Sequence, residues 1–146
     1  LKYRNHESVR KWMHNDQLID LADHLQFVDE LAFQTDRYYW LVQDSVRNNL
    51  GVIYLCNITD STGTFGLYAN PLLQRKGTGT QLALLDLHIA FDWLRLQELN
   101  LEVHPNNERA IRLYERLGFC LEHEDHSMLH MKLPAANYHP KQQSVA

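Results

Sequence analysis

"QRKGTG", Gln74 to Gly79, sets two basic residues and two glycines between a strand-like run and a long helical one. A glycine-rich turn at a helix start gathers several backbone N–H groups at one point, and the positive end of the helix dipole adds to them. Gly77 and Gly79 carry no Cβ, so an anion can come close to the main chain. Arg75 and Lys76 bring point charge, and the combination fits a pyrophosphate. No Gly-Lys-Ser/Thr closes the turn, so it is not a nucleotide-hydrolase loop. Leu82 stands where a dinucleotide fingerprint needs its third glycine. Alone, the stretch also reads as an ordinary turn.

The surroundings are those of one domain. The chain has 146 residues, 45% of them hydrophobic, enough to bury a core without staples. A net charge of −4 argues against a nucleic-acid binder, although Arg75 and Lys76 can serve one small anion. Cys56 and Cys120 lie in apolar strand-like runs and read as buried free thiols. No apolar run approaches the ~20 residues of a membrane span, and no signal peptide is visible, so a cytoplasmic protein with no membrane partner is expected. The chain begins with Leu1 rather than methionine, which leaves open a strand before it.

Periodicity predicts a short helix over Val9 to Met13 and a longer one over Leu18 to Phe33, with Leu21, Leu25, Val28 and Ala32 as its apolar stripe. "YYWLVQ" from Tyr38, "GVIYLCNI" from Gly51 and "GTFGLYA" from Gly63 read as an antiparallel meander. After the glycine turn comes a long helix with Leu82, Leu85, Ile89 and Trp93 on one face. The strand "ELNLEVH", the helix "NNERAIRLYERLG" and the strands "FCLEHE" and "SMLHMKL" follow. This order predicts an α/β domain over residues 1–133, a meander followed by parallel crossovers, with a polar, frayed tail over 134–146.

In "NNERAIRLYERLGF", Asn107, Ala110, Ile111 and Tyr114 share a helical face. This block and "QRKGTG", separated by one helix and one strand, resemble the GNAT superfamily of acetyl-CoA-dependent N-acetyltransferases in residue type and spacing. The resemblance implies a mixed, centrally splayed sheet flanked by helices, whose first strand would precede Leu1. It implies acetyl-CoA as the acyl carrier, and a homodimer is compatible with it. By the same resemblance Gln74, Arg75, Lys76, Gly77, Thr78, Gly79 and Thr80 hold the coenzyme A pyrophosphate. The strand with Leu67 and Tyr68 pairs with the pantetheine arm, Asn107 contacts that arm, and Tyr114 donates a proton to the departing thiolate. A core-packing tyrosine is the plain alternative for Tyr114.

The base is a choice between Glu102, on the polar face of its strand beside Asn100 and His104, and a water chain. "VRKWM", "HLQF", "GVIYLCNI" and "FGLYANP" resemble the branch acting in pseudaminic acid biosynthesis, which acetylates the 4-amino group of UDP-4-amino-4,6-dideoxy-N-acetyl-β-L-altrosamine. On that resemblance Arg4, His24 and Tyr68 contact the nucleotide-sugar, with Asn57 and Thr59 as weaker candidates. A protein N-terminus or a polyamine as acceptor, and a non-catalytic acyl-CoA-binding module, remain rival readings. The basic residues Arg4, Arg10 and Lys11 favour an anionic acceptor. His123, Glu124, Asp125 and His126 match no zinc spacing and read as a polar hairpin, so no metal is expected.

Overall fold

The computed structural model describes residues 1–140 except Gln74; the predicted pyrophosphate contact of Gln74 and the end of the tail fall outside them. Two helices come first, α1 (Glu7–Arg10) and α2 (Leu21–Leu31). The strands β1 (Tyr38–Gln43), β2 (Asn49–Cys56) and β3 (Thr62–Ala69) form the expected meander. Next are α3 (Thr78–His88), continued by a π-helical turn over Ile89–Trp93, then β4 (Glu98–Val103), α4 (Glu108–Arg116), β5 (Cys120–Glu124) and β6 (Leu129–Pro134). The six strands lie in the order β1-β2-β3-β4-β6-β5.

Among the described residues only β3 and β4 pair in parallel. The second crossover, through α4, lands one strand further out, because β6 inserts antiparallel between β4 and β5. That placement leaves β5 at an exposed edge with Cys120 open to solvent, and Cys56 is only half-buried. The expectation of two buried thiols is corrected accordingly.

The β3–β4 ladder holds three residue pairs, Thr62 to Thr64 against Glu98 to Asn100. Beyond Thr64 the strands part, while β3 stays paired with β2 as far as Ala69 and β4 with β6 as far as Val103. The sheet is splayed at its centre. Strand residues alternate between faces, so Ile53, Leu55, Phe65, Leu99 and Leu101 meet Leu82, Leu87 and Leu113 in the core. Val52, Tyr54, Tyr68 and Glu102 point to the other side, toward α2 and the segment that precedes it.

Two apolar stripes run differently from expectation. On α2, Leu21, Leu25 and Val28 are exposed, and His24, Phe27 and Leu31 face inward. On α3 the buried face is Leu82, Ala83, Asp86 and Leu87; Leu85 is outside, and Trp93, past the π-helical turn, is 71% exposed. A π turn adds one residue to the helix and so rotates everything after it. The start of the tail is folded rather than frayed. Pro134 pairs with Glu98, Tyr138 stacks on Phe91 at 4.9 Å, and its hydroxyl donates to Asp92 at 3.1 Å.

Candidate active site

The helix start behind "RKGTG" is open. Gly77 is the N-cap of α3 with φ +82°, and no side chain caps the first turn. The first N–H groups of a helix have no partner within it, so those of Thr78 to Thr80 face outward as donors for an anion. Thr78 staples the loop from beneath, its hydroxyl donating to the Arg75 carbonyl at 3.0 Å. Arg75 itself is committed elsewhere. Its amide donates to the Leu73 carbonyl at 2.9 Å and its guanidinium to Asp44 at 3.1 Å. Among the described residues the Arg75 amide is thus already bonded within the turn. Apart from its chain neighbours, a Cβ added at Gly77 would meet no described atom within 4 Å. What requires glycine is the left-handed backbone.

Where β3 leaves β4, the segment around Leu67 and Tyr68 presents one backbone edge without a strand partner. Asn107, the N-cap of α4, accepts from the Ala110 amide at 3.3 Å, which leaves its side-chain N–H groups for a ligand. Tyr114, two turns on, is 8% exposed. Its ring meets Phe65 edge-on at 5.7 Å and Phe119 at 5.9 Å. Burial, and then the nearby Asp86, push its phenol well above the usual range.

On the opposite face of the sheet lie two adjoining cavities of about 450 and 290 Å³, which share His24, Phe27, Tyr39 and Tyr68. The smaller adds Arg4, Met13 and Tyr54; the larger adds Lys2 and Tyr3. Arg4, His24 and Tyr68, far apart in sequence, thus come together. Arg4 Nη2 donates to the Asn15 carbonyl at 2.6 Å, whereas Nη1 is buried with no partner among the described residues. Burial lowers the pKa of His24 and raises that of Tyr68. Tyr39 and Tyr54, which the sequence reading did not single out, stack at 4.8 Å and form a wall. The Tyr54 ring lies over Gly66, where any Cβ would collide with it.

Asn57 and Thr59 line neither cavity. Asn57 reaches Thr64 at 3.5 Å, and the Thr59 hydroxyl receives the Thr62 amide at 3.0 Å. They build the β2–β3 turn, because short polar side chains bond readily to backbone two or three residues away. Arg10 is likewise tied to the Asp16 carbonyl. Glu102 stands on the face of β4 turned away from the core, past the last β3–β4 pair, and contacts His14 from the segment between α1 and α2.

Residues 1–120 match the acetyltransferase (GNAT) domain family. The acetyltransferase PseH of Campylobacter jejuni is 35% identical over 133 residues, covering 90% of this chain and 82% of that protein. The spermidine N(1)-acetyltransferase of Escherichia coli is 28% identical over 82% of this chain and 64% of its own length. Among solved structures, the Campylobacter jejuni N-acetyltransferase PseH in complex with acetyl coenzyme A superposes with a TM-score of 0.74 at 33% identity, over 81% of this chain and 82% of that one. Spermidine N-acetyltransferase from Vibrio cholerae, with CoA and spermine, reaches 0.87 at 20% identity over 94% and 88%, a likeness of fold alone. The chain belongs to the GNAT acetyltransferase family and is an N-acetyltransferase.

Proposed function

We propose that this enzyme transfers the acetyl group of acetyl-CoA to the amino group of a UDP-linked amino-sugar, the 4-amino group in pseudaminic acid biosynthesis. One observation carries the choice of acceptor. Among the described residues the cations and imidazole that line the two cavities are Lys2, Arg4 and His24, set among aromatic and aliphatic side chains, and no Asp or Glu lines either. A polyamine is a chain of cations and needs carboxylates; a diphosphate needs donors and positive charge. The buried, unpartnered Nη1 of Arg4 supplies such a donor, and Tyr39, Tyr54 and Tyr68 offer faces for a sugar or uracil ring.

Acetyl-CoA supplies a thioester whose carbonyl carbon an amine can attack. The amides of Thr78 to Thr80 and Lys76 take its pyrophosphate, and the free edge of β3 aligns the arm and offers an N–H to the developing oxyanion. Asn107 steadies the arm. Glu102 accepts the ammonium proton of the acceptor, and Tyr114 holds a proton for the leaving sulfur.

Thiol release by the purified chain tests the acceptor. The UDP-amino-sugar is expected to support turnover, with spermidine and peptide N-termini at background. Faster turnover with spermidine would remove the sugar assignment. Arg4→Ala should raise KM for the sugar nucleotide roughly tenfold or more, the value of one charge-assisted contact, and leave KM for acetyl-CoA unchanged.

A further inference from the structure

We infer that Asp44, in the turn between β1 and β2, is a positioning residue for acetyl-CoA: it grips Arg75 from outside the coenzyme loop and so fixes the donors at the start of α3. The inference rests on the helix-start reading of the pyrophosphate site above. The two residues are 31 apart in sequence, and Arg75 Nη1 lies 3.1 Å from Asp44 Oδ2. The loop between β3 and α3 needs such a hold. Its near end is tied, since Asn70 donates its amide to the Leu50 carbonyl and its side chain to the Asn49 carbonyl, each at 2.8 Å. Its far end is Gly77, left-handed and followed by a helix start that no side chain caps.

Between those ends the hydrogen bonds are local. The amides of Leu72 and Leu73 both turn back to Asn70. Among the described residues of 71–77, Arg75 alone sends a hydrogen bond beyond the loop and α3, and it goes to Asp44. Arg75 is thereby held at three atoms. Its amide donates to the Leu73 carbonyl at 2.9 Å, its carbonyl accepts the Thr78 hydroxyl at 3.0 Å, and its guanidinium rests on Asp44. The first two bonds travel with the loop; the third ties it to the β1–β2 turn.

Asp44 is rigid enough to serve as an anchor. Its Oδ1 accepts the amides of Val46 at 3.0 Å and Asn48 at 2.9 Å, and its Oδ2 accepts the Asn48 side-chain amide at 3.0 Å. Its own amide reaches the Asn48 carbonyl at 3.0 Å. The carboxylate is set by its own turn, and Arg75 meets it in place. Bonds from Asn48, the side chain first, hold the carboxyl below its ordinary range, so it is charged at neutral pH and the bond to Arg75 is charge-assisted. A loop ordered in advance spares the ligand the cost of ordering it. The sign of the effect separates this brace from bare charge. Asp44 is a negative charge beside a loop that takes an anion. Acting by its field alone, or by keeping Arg75 from the pyrophosphate, it would weaken coenzyme binding, and its removal would tighten it. The brace requires the opposite.

Asp44→Asn keeps an oxygen for the Val46 and Asn48 amides and removes the carboxylate that receives Arg75. Calorimetric titration of the purified chain with coenzyme A should show Kd raised about fivefold, the upper range for one partly exposed ion pair. In turnover the loss should fall on KM for acetyl-CoA, with kcat and KM for the acceptor within about twofold of wild type. Arg75→Gln is expected to weaken coenzyme binding as well, and adding Asp44→Asn to it should change Kd no further, because the two act through one bond. Tighter binding by Asp44→Asn, or additive losses in the double variant, overturns the brace. So does wild-type affinity with a lowered Tm, which would confine Asp44 to stabilising its own turn. Gly77→Val tells the two levels apart. If it leaves coenzyme affinity intact, the helix-start site itself fails and the brace with it; if it abolishes binding while Asp44→Asn does not weaken it, the brace alone fails.

Discussion

A phenol enclosed like Tyr114 keeps its proton at any working pH, because burial and Asp86 both disfavour the phenolate. Its proton moves only as the C–S bond breaks and a strong base appears beside it. Tyr114→Phe is therefore expected to lower kcat by about two orders of magnitude, with acetyl-CoA affinity unchanged by calorimetry. Normal turnover would return Tyr114 to the core, where Phe65 and Phe119 already hold it. Gly77 fails differently. Its φ of +82° disfavours any side chain, and most of all a β-branched one, so Gly77→Val should turn the helix-start donors away and abolish coenzyme binding. A calorimetric titration with coenzyme A reads this directly, and wild-type affinity would exclude the helix start as the anion site.

At the scale of the element, α3 carries a price in Asp86. The residue has no exposure, neither oxygen has a partner among the described residues, and burial pushes its pKa up to about 9. In the unfolded chain the same carboxyl ionises near ~4. Between those values the unfolded state has released a proton that the folded state retains, so stability falls as pH rises from about 4 to about 9 and levels off above. Asp86→Asn removes this slope; denaturant melts across that range should show a flatter profile than wild type, and an equally steep one would mean that Asp86 is ionised or solvated when folded.

The glycine turn and the α4 motif were legible because each sets its geometry within a few residues: an open helix start in one, Asn107 and Tyr114 on one face of a helix in the other. The meander was legible from alternation and turn chemistry. The inward face of α2 was not, because its apolar stripe and the row His24, Phe27 and Leu31 both run at helical spacing, and the cavity claims the row. Nor did the sequence disclose that His14 sits against Glu102, since no local pattern links residues 88 apart. Trp93 was misplaced because a π turn leaves no apolar signature of its own.

For the molecule as a whole, the sheet consists of two paired blocks, β1–β3 and β4–β6, joined by three parallel residue pairs. A coenzyme lying in the gap would touch both. At a hundredfold excess over its Kd, a ligand specific to the folded state adds ~2.7 kcal/mol, so Tm should rise on the order of 10 °C for a chain of this size. Hydrogen exchange should slow along both β3 and β4. Protection confined to one strand would show that the ligand does not bridge the blocks.

The clearance over Gly66 has an evolutionary corollary. Because the Tyr54 ring occupies the volume that any larger residue at 66 would claim, one added carbon on β3 must displace an aromatic ring on β2 that walls the neighbouring cavity. Selection for a different amine could therefore act through that lone methyl, remodelling the pocket while the thioester channel stays intact.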